Sequence, residues 1–427
     1  MTSEPSPTPS LWRHRDFVLL WSGGAVSDLG SAVSTLVLPL IAVQRHASIF
    51  QVSLLGVLGR GVPFLLLSLP AGVLVDRIDR RTLMIWSDAG RMAALASIPL
   101  VSLLGGTVSM WQLLLAALVV GSLRVVFDVA DQSYLPILLP SESLMDANGK
   151  LRSTELFADS VGPSLGAGLT GLVGAARAIG ADSVSFAASV ASLLLIRTRE
   201  PRQRPGTSAP RVSFREAMTE GLRFVFQDRV LRRIALATAT ANTGIALVTA
   251  IEVVFLVRSV HSSPLQIGLV LGLGTFGGVG GSLVARRLAE RVGTARIMWV
   301  ALVVPAPLVF LMPLAQSGWE VLTYAAGWAA FNASGAVYNT AQISYRQSVC
   351  PPELRGRVNA SIRWLIFGVS PIGALLGGAL GTWFGLRSAL WVGASVMALT
   401  GLWLVTSPLR GMRDIPLADP AGSNRSD

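Results

Sequence analysis

The chain has 427 residues, of which 52% are apolar and 14% are charged, and its formal net charge is +11. Soluble domains hold about 45–50% apolar and about 25% charged residues, so this composition excludes an ordinary soluble enzyme. The lone cysteine, Cys350, excludes an internal disulfide, and the histidines lie in predicted tails or loops, so we expect no metal site.

Apolar runs separated by polar breaks predict twelve membrane-spanning helices, because about 20 residues cross a bilayer. The first span follows a tail, 1–16, and lacks a small-residue cleavage signature, so we expect it to be retained. The first six predicted spans are 17–43, 51–75, 83–104, 111–137, 155–175 and 179–197. The second six are 232–257, 265–288, 295–315, 320–345, 361–381 and 387–407.

A predicted linker, 198–231, lies between the two sets of spans. Its turn-forming residues, which predict a flexible connection, are Pro201, Pro205, Gly206 and Pro210. An amphipathic stretch over 214–230 then predicts a helix on the membrane surface. The sequence therefore predicts two six-helix bundles, 17–197 and 232–407, and a tail over 408–427.

The basic residues predict the orientation, because cytoplasmic loops carry the excess of arginine and lysine. With the N-terminus placed inside, few arginines lie at the outward ends of the spans. These are Arg45, Arg177, Arg258 and Arg387. We therefore expect a multi-pass protein of the plasma (inner) membrane with both termini in the cytoplasm. The net charge of +11 is then an orientation signal, and no nucleic-acid partner is expected.

Two sequence motifs recur after about half of the chain. The pattern Gly-x-Leu-Val-x-Arg occupies 72–77 and again 281–286, at the ends of the second and eighth spans. Pro-x-Glu with a later asparagine occupies 140–148 and again 351–359. We predict an all-α membrane fold of two parallel six-helix repeats, the architecture of one large class of secondary transporters.

The loop after the second span resembles the signature that the major facilitator superfamily carries between its second and third helices. The matching residues are Gly72-x-Leu74-x-Asp76-Arg77-x-x-Arg80-Arg81, with Asp79 where a glycine is usual. The resemblance implies a cytoplasmic latch, in which Asp76 holds the start of the eleventh span near 357–363. The arginines of the loop then form the surrounding charge network; alternatively, they only fix the topology.

The fifth span and two loops carry further resemblances. Gly162, Pro163 and Gly166 are similar to the glycine-proline motif of the superfamily's antiporter branches. Small residues permit close helix packing, and the proline bends the helix. The segments 134–148 and 351–359 resemble the branch that includes macrolide-efflux and enterobactin-exporter proteins. These resemblances imply a drug:proton antiporter with the major facilitator fold.

Charged residues inside the predicted spans are costly and are therefore candidates for function. Asp28 lies near the middle of the first span, and Arg124 of the fourth span is its predicted partner. Burial favours the neutral acid and a nearby arginine favours the carboxylate, so such a pair can exchange a proton. Two alternatives stay open. Arg124 neutralises Asp128 one turn away, or Arg60 of the second span serves Asp28 in its place.

Other polar side chains in the spans are weaker candidates. Glu252 in the seventh span is predicted to be a proton site or an interface residue beside Arg258. Asp88 and Arg91 in the third span are predicted to form a local ion pair. The candidate substrate-cavity residues are Asn332, Asn339, Gln342, Trp328 and Trp21. Alternatively, the amides join helices to one another, and the tryptophans pack or face lipid.

The energy source follows from a missing motif. The only lysine, Lys150, has no upstream glycine at phosphate-loop spacing, so we expect no nucleotide and no other cofactor. The sequence predicts a secondary transporter, not an enzyme, that exports a hydrophobic or amphipathic small molecule and is driven by the proton gradient. Uptake or facilitated transport of a polar metabolite is the first alternative, and a transporter-like receptor or scaffold is the second.

Overall fold

The computed structural model describes residues 11–198, 200 and 214–414, and every regular element in those ranges is a helix. The first seven α-helices are α1 (Arg15–Gln44), α2 (Ile49–Gly56), α3 (Val62–Val75), α4 (Arg80–Leu103), α5 (Met110–Leu138), α6 (Leu144–Val173) and α7 (Ala175–Leu195). The next eight are α8 (Phe214–Gln227), α9 (Arg229–Arg258), α10 (Pro264–Val292), α11 (Arg296–Val303), α12 (Leu322–Val349), α13 (Pro352–Phe384), α14 (Leu386–Leu399) and α15 (Leu402–Val405). A π-helical turn, Val57–Gly61, joins α2 to α3, and short 3₁₀ segments include Leu11–Arg13 and Ala306–Leu314.

Within the described ranges, nine helical segments are long and apolar enough to cross a membrane. The other three predicted spans lie in α4, α6 and α12. These helices carry more polar residues, such as Asp88 and Arg91 in α4 and Glu155 and Asp159 in α6. These polar residues lower the hydropathy of the three helices, and they are also the candidates for a functional role.

The helix boundaries follow from local residue choices. Ser48 and Gln51 form a reciprocal capping box at the start of α2, with N···O distances of 2.8 and 3.2 Å. Gly174 (φ 84°) connects α6 to α7, and Gly385 (φ 87°) connects α13 to α14. A side chain would be strained in this left-handed region, so glycine permits these one-residue turns.

The linker is described only in part. The predicted amphipathic stretch forms α8, and α9 begins two residues after α8 ends. The predicted flexible connection with Pro201, Pro205, Gly206 and Pro210 lies outside the described residues. Glu220 of α8 forms an ion pair with Arg357 of α13, so α8 packs beside the start of the eleventh span.

The chain divides into two compact units. The first comprises Met1–Thr207, Thr249–Gly272 and Ala374–Leu386. In this unit α1 packs against α6 and α7, and α4 packs against α5 and α7. One apolar cluster, with Val37, Leu113 and Phe186, joins α1, α5 and α7. The first unit thus contains the whole predicted N-terminal bundle together with segments of α9, α10 and α13.

The second unit comprises Ser208–Val248, Leu273–Gly373 and Arg387–Asp427. Its apolar core draws on α9, α11, α12 and α13 and includes Ile234, Met298 and Tyr338. Small residues bring the helices of this unit together, since a Cβ at Gly277 would collide with the backbone of Ala329 on α12. This packing places α10 directly against α12.

A buried polar cluster joins α4 to α7 in the first unit. The predicted pair of Asp88 and Arg91 forms, and the two residues are 0% and 3% exposed. Ser189 donates a hydrogen bond to Asp88 at 2.6 Å. The Arg91 guanidinium lies 4.5 Å from the ring centroids of both Phe127 and Phe186. The charges are therefore paired inside the bundle, where an unpaired one would be costly.

A second buried carboxylate, which the sequence analysis did not single out, ties α7 to α1. Asp182 is 1% exposed, and it accepts hydrogen bonds from Ser34 of α1 and, at 3.2 Å, from Ser185. Because the Ser185 hydroxyl also donates to the Asp182 backbone carbonyl at 2.7 Å, the Ser34 hydrogen bond is the main contact of this carboxylate. Such interhelical hydrogen bonds hold helices together in lipid, where apolar contact gives little preference for one partner.

Gly162 provides a direct test of helix packing. A Cβ at Gly162 would collide with Ala32 of α1, whereas a Cβ at Gly168 of the same helix has no atom within 4 Å. We expect Gly162→Val to destabilise the protein by about 1–3 kcal/mol or more. Gly168→Val is the matched control and should change stability much less. Thermal unfolding of both variants, followed by size-exclusion chromatography in detergent, checks this; equal losses would contradict the packing described.

Candidate functional site

The π-helical turn in the second span brings two arginines into one region. A Cβ at Gly121 of α5 would collide with the carbonyl of Gly59, so α5 lies directly against the turn. Arg60 follows Gly59, and Arg124 lies one turn after Gly121 on α5. The charges of Arg60 and Arg124 consequently act on each other. π-Helical turns are frequent at functional sites, and this one holds the exposed Arg60, whose charge interacts with Arg124 and with nearby carboxylates.

Six ionisable side chains from four predicted spans form this charged cluster. They are Asp28 of α1, Arg60 of the π-helical turn, Arg124 and Asp128 of α5, and Glu155 and Asp159 of α6. Four carboxylates thus share the region with these two guanidinium groups, and Glu155 also forms an ion pair with Arg152 of α6. The excess of negative charge favours the binding of a proton or a cationic group. All six residues belong to the first unit.

Asp28 occupies a special place in the charged cluster. Its strongest attractive charge interaction is with Arg124, its predicted partner. Glu155, Asp128 and Asp159 repel its carboxylate. Asp28 is half-buried and forms no hydrogen bond or ion pair with any residue in the described part of the chain. Asp28 is therefore a carboxylate that interacts by charge with an arginine, and its oxygens can accept a proton.

Arg124 and Arg60 interact most strongly with different carboxylates. Arg124 Nε lies 3.7 Å from Asp128 Oδ2, so Arg124 also interacts with the residue one turn away. The carboxylate that acts most strongly on Arg60 is Asp159. Arg124 thus contacts Asp128 and also acts by its charge on Asp28, whereas Arg60 interacts by charge mainly with Asp159.

Glu155 and Asp159 are functional candidates that the sequence analysis missed. They lie at the start of the fifth span, where charged residues are ordinarily assigned to the interface. A signal was present, because i and i+4 positions share a helix face and point the two carboxylates the same way. Only the packing of α6 against α1 shows that the charges of this face act on Asp28.

The loop after the second span is anchored to the first unit. Asp79 caps α4 by accepting the Thr82 N–H at 2.8 Å. Its φ of −51° requires no glycine, so an aspartate at this position is compatible with the turn. Arg81 donates to the carbonyls of Leu193 and Leu194 at the end of α7, both at 2.7 Å. Capping of these carbonyls fastens the loop to α7.

Other residues of this motif differ in their surroundings. Arg80 forms an ion pair with Glu200 and donates its backbone N–H to the same carboxylate at 2.8 Å. Asp76 and Arg77 are exposed, and Gly72 is half-buried in α3. The latch role of Asp76 stays a prediction.

The glycine-proline motif lies at the contact of α6 with α1 and α10. Gly162 packs against Ala32, and a Cβ at Gly166 would crowd the backbone of Val33 on α1. Pro163 lies inside α6, and the next residue, Ser164, donates a hydrogen bond to the carbonyl of Gly268 at 3.0 Å. These contacts all fall within the first unit and depend on small residues on facing helices.

The amide and tryptophan candidates make mainly local contacts. Asn332 donates to the carbonyl of Trp328 at 2.9 Å, and Gln342 donates to Asn339 at 2.7 Å. Trp328 is buried, and a Cβ at Gly274 of α10 would strike its ring. Their substrate contact stays a prediction.

Two further candidates lie in the first unit. Glu252 is half-buried in α9, and Arg258 at the end of that helix donates to the carbonyl of Ala47 at 2.7 Å. Trp21 donates its indole N–H to Thr154 at 3.0 Å, near the first turns of α6. No group of three or more His, Cys, Asp or Glu side chains among the described residues is arranged to hold a metal ion.

Residues 6–422 match the profile of the transmembrane secretion effector family of the major facilitator superfamily. The chain belongs to this family. The multidrug efflux pump Tap of Mycobacterium tuberculosis is 28% identical over 411 residues, which cover 93% of this chain and 94% of Tap. Macrolide efflux protein A of Streptococcus pyogenes is 24% identical over 373 residues, covering 84% of this chain and 88% of that protein. The predicted family and its drug-efflux branch are confirmed.

Solved structures confirm the fold of this transporter. The nucleoside transporter NupG superposes with a TM-score of 0.74 at 9% identity, covering 91% of this chain and 99% of NupG. A bacterial homologue of the iron transporter ferroportin superposes with a TM-score of 0.72 at 17% identity, covering 92% of this chain and 98% of that chain. The predicted all-α membrane fold of two parallel six-helix repeats is thereby confirmed, and the chain is a multi-pass membrane protein.

Proposed function

We propose that this transporter exports a hydrophobic or amphipathic small molecule in exchange for protons, by alternating access. The observation that carries the proposal is the charged cluster, in which Asp28 lies near Arg124 with free carboxylate oxygens. Two relatives, a multidrug efflux pump and a macrolide efflux protein, support a drug or a macrolide as substrate. The proposed class also includes a siderophore or another secondary metabolite.

The charged cluster supports a simple exchange cycle. When the cavity opens to the acidic side, Asp28 binds a proton and its attraction to Arg124 weakens. When the cavity opens to the other side, Arg124 favours the carboxylate and the proton leaves. Substrate moves in the opposite direction, because only the proton-bound and the substrate-bound forms change sides; return of the empty form would uncouple the two fluxes. In this proposal Asp76 and the arginines beside it close the cytoplasmic side.

The proton gradient is a sufficient energy source. A driving force of roughly 180 mV supplies about 4 kcal/mol per proton, at ~2.3 kcal/mol per 100 mV. At ~1.4 kcal/mol per tenfold, this sustains a substrate gradient of about a thousandfold. One proton per substrate therefore suffices, and no nucleotide or other cofactor is proposed.

Everted membrane vesicles test this function. Ethidium and erythromycin serve as an amphipathic cation and a macrolide, added to respiring vesicles that hold the transporter and a pH-sensitive dye. We expect at least one compound to be accumulated and to release protons from the vesicle interior, with no effect in vesicles lacking the transporter. Accumulation that persists after the gradient is collapsed would contradict proton coupling. If the compounds moved only out of the everted vesicles, the transporter would act in uptake into the cell.

We also propose that the N- and C-termini face the cytoplasm of a cell whose plasma membrane holds the protein. Lys150, the only lysine, lies in a loop-proximal turn of α6 with 29% of its side chain exposed. A membrane-impermeant amine reagent should label Lys150 in everted vesicles and not in intact cells. The reverse control is Thr107→Lys in a Lys150→Arg background, because Thr107 is exposed in the loop between α4 and α5. Labelling of Lys150 from outside would invert the proposed orientation.

A further inference from the structure

A pocket with two tryptophans lies between the start of α1 and the start of α6. It has a volume of about 420 Å³ and lies in the first unit. Its lining residues are Trp12, Trp21, Asp146, Gly149, Lys150, Ser153 and Thr154. The two indole rings meet edge to face, with centroids 4.9 Å apart. None of these residues belongs to the charged cluster.

The hydrogen bonds around the pocket leave specific donors available. Lys150 Nζ donates to Asp146 at 2.9 Å and lies 5.5 Å from the centroid of the Trp12 ring. An ammonium group has three N–H donors, so this contact leaves two of them for a ligand. The indole N–H of Trp21 is already donated to Thr154. Trp12 is 51% exposed, and its indole N–H has no partner in the described part of the chain.

The pocket faces away from the charged cluster. Ser153 and Glu155 are two residues apart on α6, which separates them by about 160° around the helix axis. Glu155 pairs with Arg152, and its charge acts on Asp28 and Arg124, whereas Ser153 lines the pocket. One turn further along α6, the apolar ring of Phe157 is 60% exposed on the pocket's side. The pocket therefore lies on a face of α6 that continues into exposed apolar surface.

This arrangement has the features of a phospholipid site. Tryptophans concentrate where membrane meets water, and an exposed apolar side chain beyond the pocket suits an acyl chain. Lys150 neutralises Asp146 in the lining, and the nearby charge is positive because exposed Arg13 and Arg15 follow Trp12 in the chain. The carboxylate of Asp16 is buried and engaged by the N–H groups of 197 and 198. Basic residues beside a pocket at the ends of spanning helices attract an anionic headgroup.

We propose that the pocket binds the headgroup of an anionic phospholipid. The Lys150 ammonium and the Trp12 indole N–H donate to the phosphate oxygens. The Asp146 carboxylate accepts a hydrogen bond from a headgroup hydroxyl, as phosphatidylglycerol provides. The lipid's acyl chain follows Phe157. The site is separate from the proposed transport path, so its test does not depend on proton-coupled export.

The single lysine makes the test specific. The full-length transporter, purified in a neutral detergent, is treated with a small amine-reactive ester, and the modification of Lys150 is followed by mass spectrometry. The N-terminal amine of the same molecule is the internal reference for reagent concentration. The three additions are phosphatidylglycerol, phosphatidylcholine and inorganic phosphate. We expect only phosphatidylglycerol to slow the modification of Lys150, and to do so saturably and several-fold.

Two tryptophan variants separate recognition from general lipid association. Trp12→Leu should raise the lipid concentration for half-protection about tenfold, because it removes the indole donor and the ring beneath the ammonium. Trp111→Leu is the matched control, since Trp111 is 82% exposed at the start of α5, away from the pocket, and its loss should change nothing. Size-exclusion chromatography verifies that both variants are folded. Equal protection by phosphatidylcholine or by phosphate, unslowed modification, or an unaffected Trp12→Leu variant would overturn the proposal.

Discussion

Asp28→Asn is expected to abolish the proton release that a substrate drives in everted vesicles. Asparagine keeps the size and the hydrogen-bonding capacity of the side chain but neither binds nor releases a proton in this range. Asp28 is the carboxylate that acts most strongly on Arg124 among those without a local partner. We therefore expect no other group to take over the exchange. We expect coupled flux to fall at least about a hundredfold, since the proton-carrying step is lost.

A matched control separates this effect from the loss of any carboxylate. Glu290 is exposed and pairs with Arg286 at 2.9 Å on α10, far along the chain from the charged cluster. Glu290→Gln should leave proton release unchanged. Binding of the substrate found in the vesicle assay, measured by quenching of tryptophan fluorescence, should persist in Asp28→Asn. Wild-type exchange by Asp28→Asn would remove Asp28 from the mechanism and direct attention to Glu155, Asp159 or Glu252.

Arg91→Leu is expected to be the most destabilising single change among those considered. It leaves the Asp88 carboxylate buried without its cationic partner, and it removes the guanidinium that lies between Phe127 and Phe186. Breaking a buried ion pair by removing one partner costs about 3–5 kcal/mol. We therefore expect a large fall in the thermal unfolding midpoint and little folded protein after extraction in detergent.

Two variants show whether the pairing itself is responsible. The double variant Asp88→Leu with Arg91→Leu removes both charges and should recover a large part of the lost stability, since apolar replacements of buried pairs are often neutral. Arg286→Leu breaks an ion pair whose arginine side chain is 90% exposed, and such pairs contribute about 0–1 kcal/mol. If Arg91→Leu were as stable as Arg286→Leu, the buried pair would have no role in holding α4 to α7.

The outcome for helix α6 illustrates where sequence reasoning succeeds. The sequence alone identifies a packing motif in Gly162, Pro163 and Gly166, because small residues in a membrane span mainly permit close contact between helices. The structure adds their partners, Ala32 and Val33 on α1. The identity of a facing residue depends on the rotation and crossing of two helices, which no local pattern encodes.

The loop after the second span shows the opposite case. Its residues carry the resemblance to the superfamily, yet their contacts differ from one another. Arg81 caps the carbonyl end of α7, Arg80 pairs with Glu200, and Asp79 caps α4. The resemblance assigns the arginines of the loop to one charge network, whereas the structure divides the loop between anchoring and exposed residues. Side-chain direction at a helix end depends on the neighbouring helices.

The opening composition, with 14% charged residues, by itself determined a membrane protein with helical spans, because only long apolar runs cross a bilayer unaided. Hydropathy depends on the residues of each segment alone and can therefore be read from the sequence. The tertiary structure alone decided which of the few charges act on one another: Arg124 and Glu155 on Asp28, and Asp159 on Arg60. Charge interactions depend on distance in space, and residues from four spans approach one another only when the helices pack.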